Sequence, residues 1–204
     1  MIRSRTGRVA RVAARAALPA AALLCLAAAL ATGARAGWLE AKAVLAQALL
    51  ERAWLGARTS ATAEPGKPWP WADVRAVARL SAPAHNVSLV VLDDASGEAL
   101  AFGPGLVAGD PTRAHEMGVA LGGHRDTHLA FLENVAPGTE LHLQSADGRT
   151  HRFLADPGRV IDVRRETLAI ATDAPGLVLV TCWPFDAPDA GGPLRWAVTA
   201  SAAP

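Results

Sequence analysis

The 204-residue chain has only two cysteines, Cys25 and Cys182. Cys25 lies in an apolar stretch near the N-terminus, so the body of the chain carries one thiol and can form no intrachain disulfide of its own. Residues 1–36 hold six arginines (Arg3, Arg5, Arg8, Arg11, Arg15, Arg35) and no acid, whereas all 19 acids and the other 14 bases lie beyond them. The net charge of +1 therefore joins a basic end to a mildly acidic body. That pattern argues against a nucleic-acid partner. Internal repeats are missing, and low complexity is confined to the alanine-rich N-terminal stretch. With 51% hydrophobic residues, the chain is not disordered and is long enough for one domain with a real core.

Charge is also missing from Ala16 to Ala34, between Arg15 and Arg35. At about 1.5 Å per residue, a helix over this stretch approaches the ~30 Å of a bilayer's hydrocarbon layer. The arginines ahead of it would keep the N-terminus cytoplasmic and send the remainder outward, as a single-pass inner-membrane protein with its body on the periplasmic side. Ala34-Arg35-Ala36 also fits a small-residue cleavage site, which makes a removed signal peptide the alternative. The apolar stretch is longer than a usual signal-peptide core, which favours the uncleaved anchor, and both readings export the body. A lone thiol there is a liability unless it is inert or used.

Glycine and proline are absent from residues 38–55, which are rich in helix formers. The spacing predicts an amphipathic helix with Glu40, Gln47 and Glu51 on one face and Trp38, Leu45 and Leu49 on another, packed on the domain as a spacer rather than lying on the membrane. Residues 56–70 then collect Gly, Ser, Thr and three prolines, ending in Lys-Pro-Trp-Pro-Trp-Ala-Asp (67–73). This reads as a linker or a wrapping loop, with Trp69 and Trp71 expected to dock on the domain. From Val74 the pattern becomes short apolar runs separated by turn residues. Strands are expected at 74–80, 87–92, 99–102, 118–122, 140–143, 150–155, 160–163, 177–181 and 194–200, with Asp147-Gly148 marking a hairpin. Such a series implies a mostly β, closed or sandwich-like antiparallel domain. The chain is thus expected to divide into 1–36 (basic tail and signal anchor), 37–73 (juxtamembrane helix and linker) and 74–204 (the β domain).

Of the six histidines, His85, His115, His128, His142 and His151 occupy loops, turns or polar strand positions. His124 differs, because Gly-Val-Ala-Leu-Gly-Gly-His-Arg-Asp-Thr (118–127) delivers it from a strand through two glycines, where another chain can come close. Cys182 ends the run Leu-Val-Leu-Val-Thr-Cys, and Pro184 stops further pairing. After a loop with Pro188, Gly191, Gly192 and Pro193, a returning antiparallel strand would set Arg195 beside Cys182, with Arg195, Ala197 and Thr199 on one face. A guanidinium next to a thiol favours the thiolate and can donate to an oxyanion, both of which acyl transfer by cysteine needs. An ordinary solvent-facing arginine is the alternative. Asp93 and Asp94 lack the dense oxygen ligands of a calcium site, and no cofactor is expected.

Thr181-Cys182 after an aliphatic strand, Gly-His-Arg-Asp-Thr-His at 123–128, and Leu194-Arg195 after a Gly-Pro loop together resemble the sortase family of membrane-anchored cysteine transpeptidases. Lys-Pro-Trp-Pro-Trp-Ala-Asp ahead of Val-Ala-Arg-Leu is similar to its class GN, or marine proteobacterial, branch. The resemblance implies an extracytoplasmic β-barrel of about eight strands with short helices. It also implies cleavage of an LPxTG-like C-terminal sorting signal through a cysteine thioester, with transfer to an amine. Cys182 would be the nucleophile, His124 the general acid/base and Arg195 the stabiliser of substrate and oxyanion. Thr181, Asp126 and His128 are further candidates for substrate contact. His128 is a rival for the acid/base role, and Asp126 or Asp186 could orient the histidine. The partners implied are a substrate protein bearing the signal, an amine acceptor and the bilayer. A hydrolytic peptidase with the same three residues, or a non-catalytic exported scaffold, are the competing readings. A scaffold cysteine would resist iodoacetamide until the protein unfolds.

Overall fold

The computed structural model describes residues 45–59, 66–168, 170, 173–187 and 191–203, with residues 26, 29, 30 and 32 singly. It forms two compact units, Met1–Leu45 and Ala46–Pro204, and the architecture below belongs to the second. Among the described residues no helix is long and apolar enough to cross a membrane. Apart from those single residues, the expected span at 16–34 lies outside them, as does Trp38.

Among the described residues nine strands make one sheet: β1 (Ala76–Ala82), β2 (Val87–Leu92), β3 (Gly105–Ala108), β4 (Gly118–Gly122), β5 (Glu140–Ser145), β6 (Thr150–Ala155), β7 (Arg159–Asp162), β8 (Gly176–Cys182) and β9 (Leu194–Ala202). Their order is β6-β5-β1-β2-β3-β4-β8-β9-β7, and β6 also pairs with β9. Eight strands therefore close into a barrel, as expected, and β7 lies outside the ring. The nine-residue β9 makes this possible by dividing one edge, whose residues 194–197 pair with β7 and 200–202 with β6. Its other edge belongs to β8 throughout.

The expected all-antiparallel pairing needs correction at two places, because β2 with β3 and β4 with β8 run parallel. Parallel neighbours require a long crossover, and β5, β6 and β7 all lie in the chain between β4 and β8. The expected strand at 99–102 is also absent. Ala99–Ala101 is a 3-10 turn, and the strand falls instead on Gly105–Ala108. Ala-Leu-Ala carries helix formers without alternation, while the true strand is hidden by Gly105 and by the glycines that flank it, Gly103 and Gly109. A Cβ at Gly105 would meet Asp94 O at 2.2 Å, so the position admits nothing larger. The hairpin at Asp147-Gly148 forms, with Gly148 at φ +89° and the Asp147 carboxylate accepting from Arg149 N.

Alternating residues fill the barrel, among them Leu80, Val119, Leu121, Leu141, Phe153, Leu177, Leu179 and Val198. A second apolar cluster lies outside it, where helix α1 (45–59) packs Leu50, Ala53, Trp54 and Ala57 against Val74, Ala76, Val90 and Leu92. A bulge between Ala76 and Ala78 switches the face of β1, so that Ala76 joins the outer cluster and Ala78 the inner one. The helix packs on the domain as expected, but on a stripe turned from the one expected. Leu45 is 59% exposed, whereas Ala46, Leu50, Ala53, Trp54 and Ala57 are buried at helical spacing. Alanines make up most of that stripe, which is why larger neighbours suggested another face. Trp69 docks edge-on against Phe102 at 5.5 Å between ring centroids, but Trp71 is 80% exposed.

Trp54 has no exposed surface and joins α1 to the barrel wall. Trp54→Ala is expected to cost about 3–5 kcal/mol of stability. A urea melt that moved by less than about 1 kcal/mol would show that the helix is not part of the cooperative unit.

Candidate active site

The register of three strands assembles the site. Cys182, the last residue of β8, is paired directly with Arg195 of β9, and Arg195 is paired on its other side with Ile161 of β7. Alternation along β8 sends Leu177 and Leu179 inward, leaving Val178, Val180 and Cys182 on the outer face. The parallel pairing of Gly122 with Val180 ends β4 at the same level. The chain continues through Gly123, whose N–H donates to Val180 O at 3.2 Å. The next residue is His124.

The exit is crowded, most tightly at Gly123. A Cβ on Gly123 would stand 2.7 Å from Leu129 Cγ, and one on Gly122 would stand 3.1 Å from Val107 Cγ2. Gly123 is also held through its carbonyl, which accepts from Thr181 Oγ1 at 2.7 Å. Thr181 is only 2% exposed. The residue expected to touch substrate thus has its hydroxyl engaged with the segment that carries His124.

His124, Cys182 and Arg195 line one groove of about 470 Å³. Val107, Ala120, Val180, Ile161, Leu168 and Ile170 make its walls apolar. Cys182 is a half-buried free thiol, and His124 is exposed. Arg195 donates from Nη1 to Gly192 O at 2.6 Å and Leu194 O at 2.9 Å, which fixes the guanidinium at the mouth of the β8–β9 loop. A thiol, an imidazole and a guanidinium facing a single apolar groove supply a nucleophile, a proton carrier and a donor for developing negative charge.

The model of the sortase domain matches residues 80–203, more than half of the chain. The chain belongs to the sortase family. Solved sortases share its fold. Sortase A from Corynebacterium diphtheriae superposes with a TM-score of 0.55 at 20% identity, over 66% of this chain and 63% of that one. Sortase C-1 from Actinomyces oris gives 0.51 at 22% identity, over 62% and 71%. Sortase A from Listeria monocytogenes gives 0.54 at 18% identity, over 63% and 88%. The chain thus spans a little under two thirds of the length of the corynebacterial sortase. No curated protein matches it.

Within this sortase, Thr181 also lines the groove, whereas the other candidates stand apart from it. His128 is half-buried and Asp126 exposed, and neither lines the groove; Asp186 is exposed and likewise outside it. Asp93 and Asp94 accept backbone N–H groups from Arg75 and Ser96. Sequence reasoning did not find Arg125, whose Nη2 reaches Ala187 O at 2.7 Å. It also missed the wall to which Val163, Glu166, Thr167, Leu168 and Ile170 contribute, the placement of Ile161 beside Arg195, and the stack of Trp183 on Trp196 at 5.2 Å. The strand at 160–163 was legible, but its attachment to the start of β9 depends on a nonlocal register that no local signal carries.

Burial holds the imidazole of His128 below its ordinary pKa, repulsion from His124 lowers it further, and Asp126 acts in the opposite sense. A lowered histidine means that the unfolded chain binds the proton more readily. The stability involved is therefore complete above the ordinary imidazole value of about 6.5 and is lost as pH falls from there through the lowered value of the folded protein. His128→Gln should flatten the decline in urea midpoint between pH 7.5 and 5.5. Equal declines in the two proteins would count against this assignment.

Proposed function

We propose that this sortase is a membrane-anchored cysteine transpeptidase of the class GN type, acting on a protein with an LPxTG-like C-terminal sorting signal. The observation that carries the reading is the in-register pair Cys182 and Arg195 sharing an apolar groove with His124. In the proposed reaction the Cys182 thiolate attacks the carbonyl of the signal's threonine. Arg195 donates to the resulting oxyanion, and His124 protonates the departing glycine amine. The carbon–nitrogen bond breaks and a thioester remains. An acceptor amine, deprotonated by His124, then attacks the thioester and releases the thiol. The apolar walls suit an extended substrate segment with branched side chains. Residues 16–34 would anchor the chain uncleaved in the inner membrane with the barrel on the periplasmic side, and the 67–73 stretch supports the class GN assignment.

Intact-mass analysis after incubation with an LPxTG-type peptide tests the reaction. The wild type should gain the acyl mass on Cys182, and Cys182→Ala should gain none. His124→Ala and Arg195→Ala should each lose most turnover, about a hundredfold or more, while keeping the folded spectrum. An added amine should appear in a ligated product. Free acid alone would favour a hydrolytic peptidase, and wild-type rates in the Arg195 variant would remove its oxyanion role.

A further inference from the structure

Two loops leave the barrel side by side: one after β4, carrying His124, and one after β8, just beyond Cys182. Among the described residues, the last backbone hydrogen bond between them runs from Gly123 N–H to Val180 O. Beyond that point their separation depends on side chains. On one flank, the Thr181 hydroxyl holds the Gly123 carbonyl. On the other, Arg125 Nη2 donates to the carbonyl of Ala187 at 2.7 Å, a part-buried contact joining residues 62 positions apart. The two bonds bracket the reacting groups. Gly123 and Arg125 flank His124, and Thr181 and Ala187 lie on either side of Cys182.

The other ties of the 183–187 loop run elsewhere. Trp183 N–H donates to Leu194 O, and the Trp183 and Phe185 rings pack on Trp196, all of which secure the loop to β9. Ala187 N–H closes a local turn onto Pro184 O. Phe185 also packs against the inner core, and none of these contacts is made to Gly123, His124 or Arg125. We propose that Arg125 is a positioning residue that latches the loop after Cys182 to the loop bearing His124, keeping the imidazole within proton-transfer reach of the thiol and the leaving amine. A guanidinium suits this task because its fork offers several N–H groups from one rigid plane. The catalytic consequence rests on the transpeptidase reading above.

The test compares full-length wild type, Arg125→Ala and Arg125→Lys by two measurements. Hydrogen exchange read by mass spectrometry should quicken in Arg125→Ala over peptides covering 123–129 and 183–187. Acylation by an LPxTG-type peptide, expressed per alkylatable Cys182, should slow about tenfold to a hundredfold at saturation, since small misplacements of reacting groups are costly. The half-saturating peptide concentration should change by less than about twofold, and Arg125→Lys should recover part of both effects. Unchanged exchange would overturn the latch. Unchanged acylation per active thiol, or a loss confined to half-saturation, would overturn its positioning role. A wild-type chain that takes no acyl group would defeat the transpeptidase reading and its catalytic consequence, while the exchange comparison would still decide whether Arg125 holds the loops.

Discussion

The parallel ladder between β4 and β8 is the constraint on which the site depends. Strands that run the same way end at the same rim, so the residues leaving their C-terminal ends meet without any loop having to travel. Gly122 faces Val180 in this register, and His124 and Cys182 follow within two residues of each. The antiparallel return of β9 then delivers Arg195 from its beginning rather than its end. Three chemically different side chains converge because one neighbour is parallel and the next is not.

The barrel does not stand on its inner core alone. Helix α1 lays a mostly alanine stripe, with Leu50 and Trp54 as its bulk, over the outer faces of β1 and β2. Small residues let the helix approach the sheet closely, and the bulge in β1 supplies Ala76 to meet it. Arg79, on the outer face of β1, pairs with Glu51 of the helix and lies 5.8 Å from the Trp54 ring centroid. This second cluster and the groove share no lining residue, so the tryptophan segment beside α1 covers the barrel wall and not the thiol.

Much of the fold was legible because its signals are local. Strands with clean alternation or unbroken aliphatic runs, such as 177–181 and 150–155, stand out by period, and the Asp147-Gly148 turn announces its hairpin. The strand at 105–108 did not, because two of its environments demand glycine or tolerate exposure, as at Val107. The direction of β4 relative to β8 was also hidden, since pairing across an intervening β5, β6 and β7 leaves no periodic trace. At the site, Cys182 and Arg195 could be linked through one loop between consecutive strands, and His124 through its glycine lead-in and family resemblance. Arg125 escaped notice because its contact with Ala187 is to a backbone carbonyl, and a carbonyl has no residue identity to read.

The divided edge of β9 separates two structural duties. Closure of the ring rests on Phe153, Leu154 and Ala155 pairing with Ala202, Ser201 and Ala200, while β7 is an annex attached to the opposite end of the same strand. Ile161 and the chain that follows it therefore shape the groove without bearing the barrel's circumference. Mutational drift can recut this wall while the hoop that holds the thiol, imidazole and guanidinium stays closed.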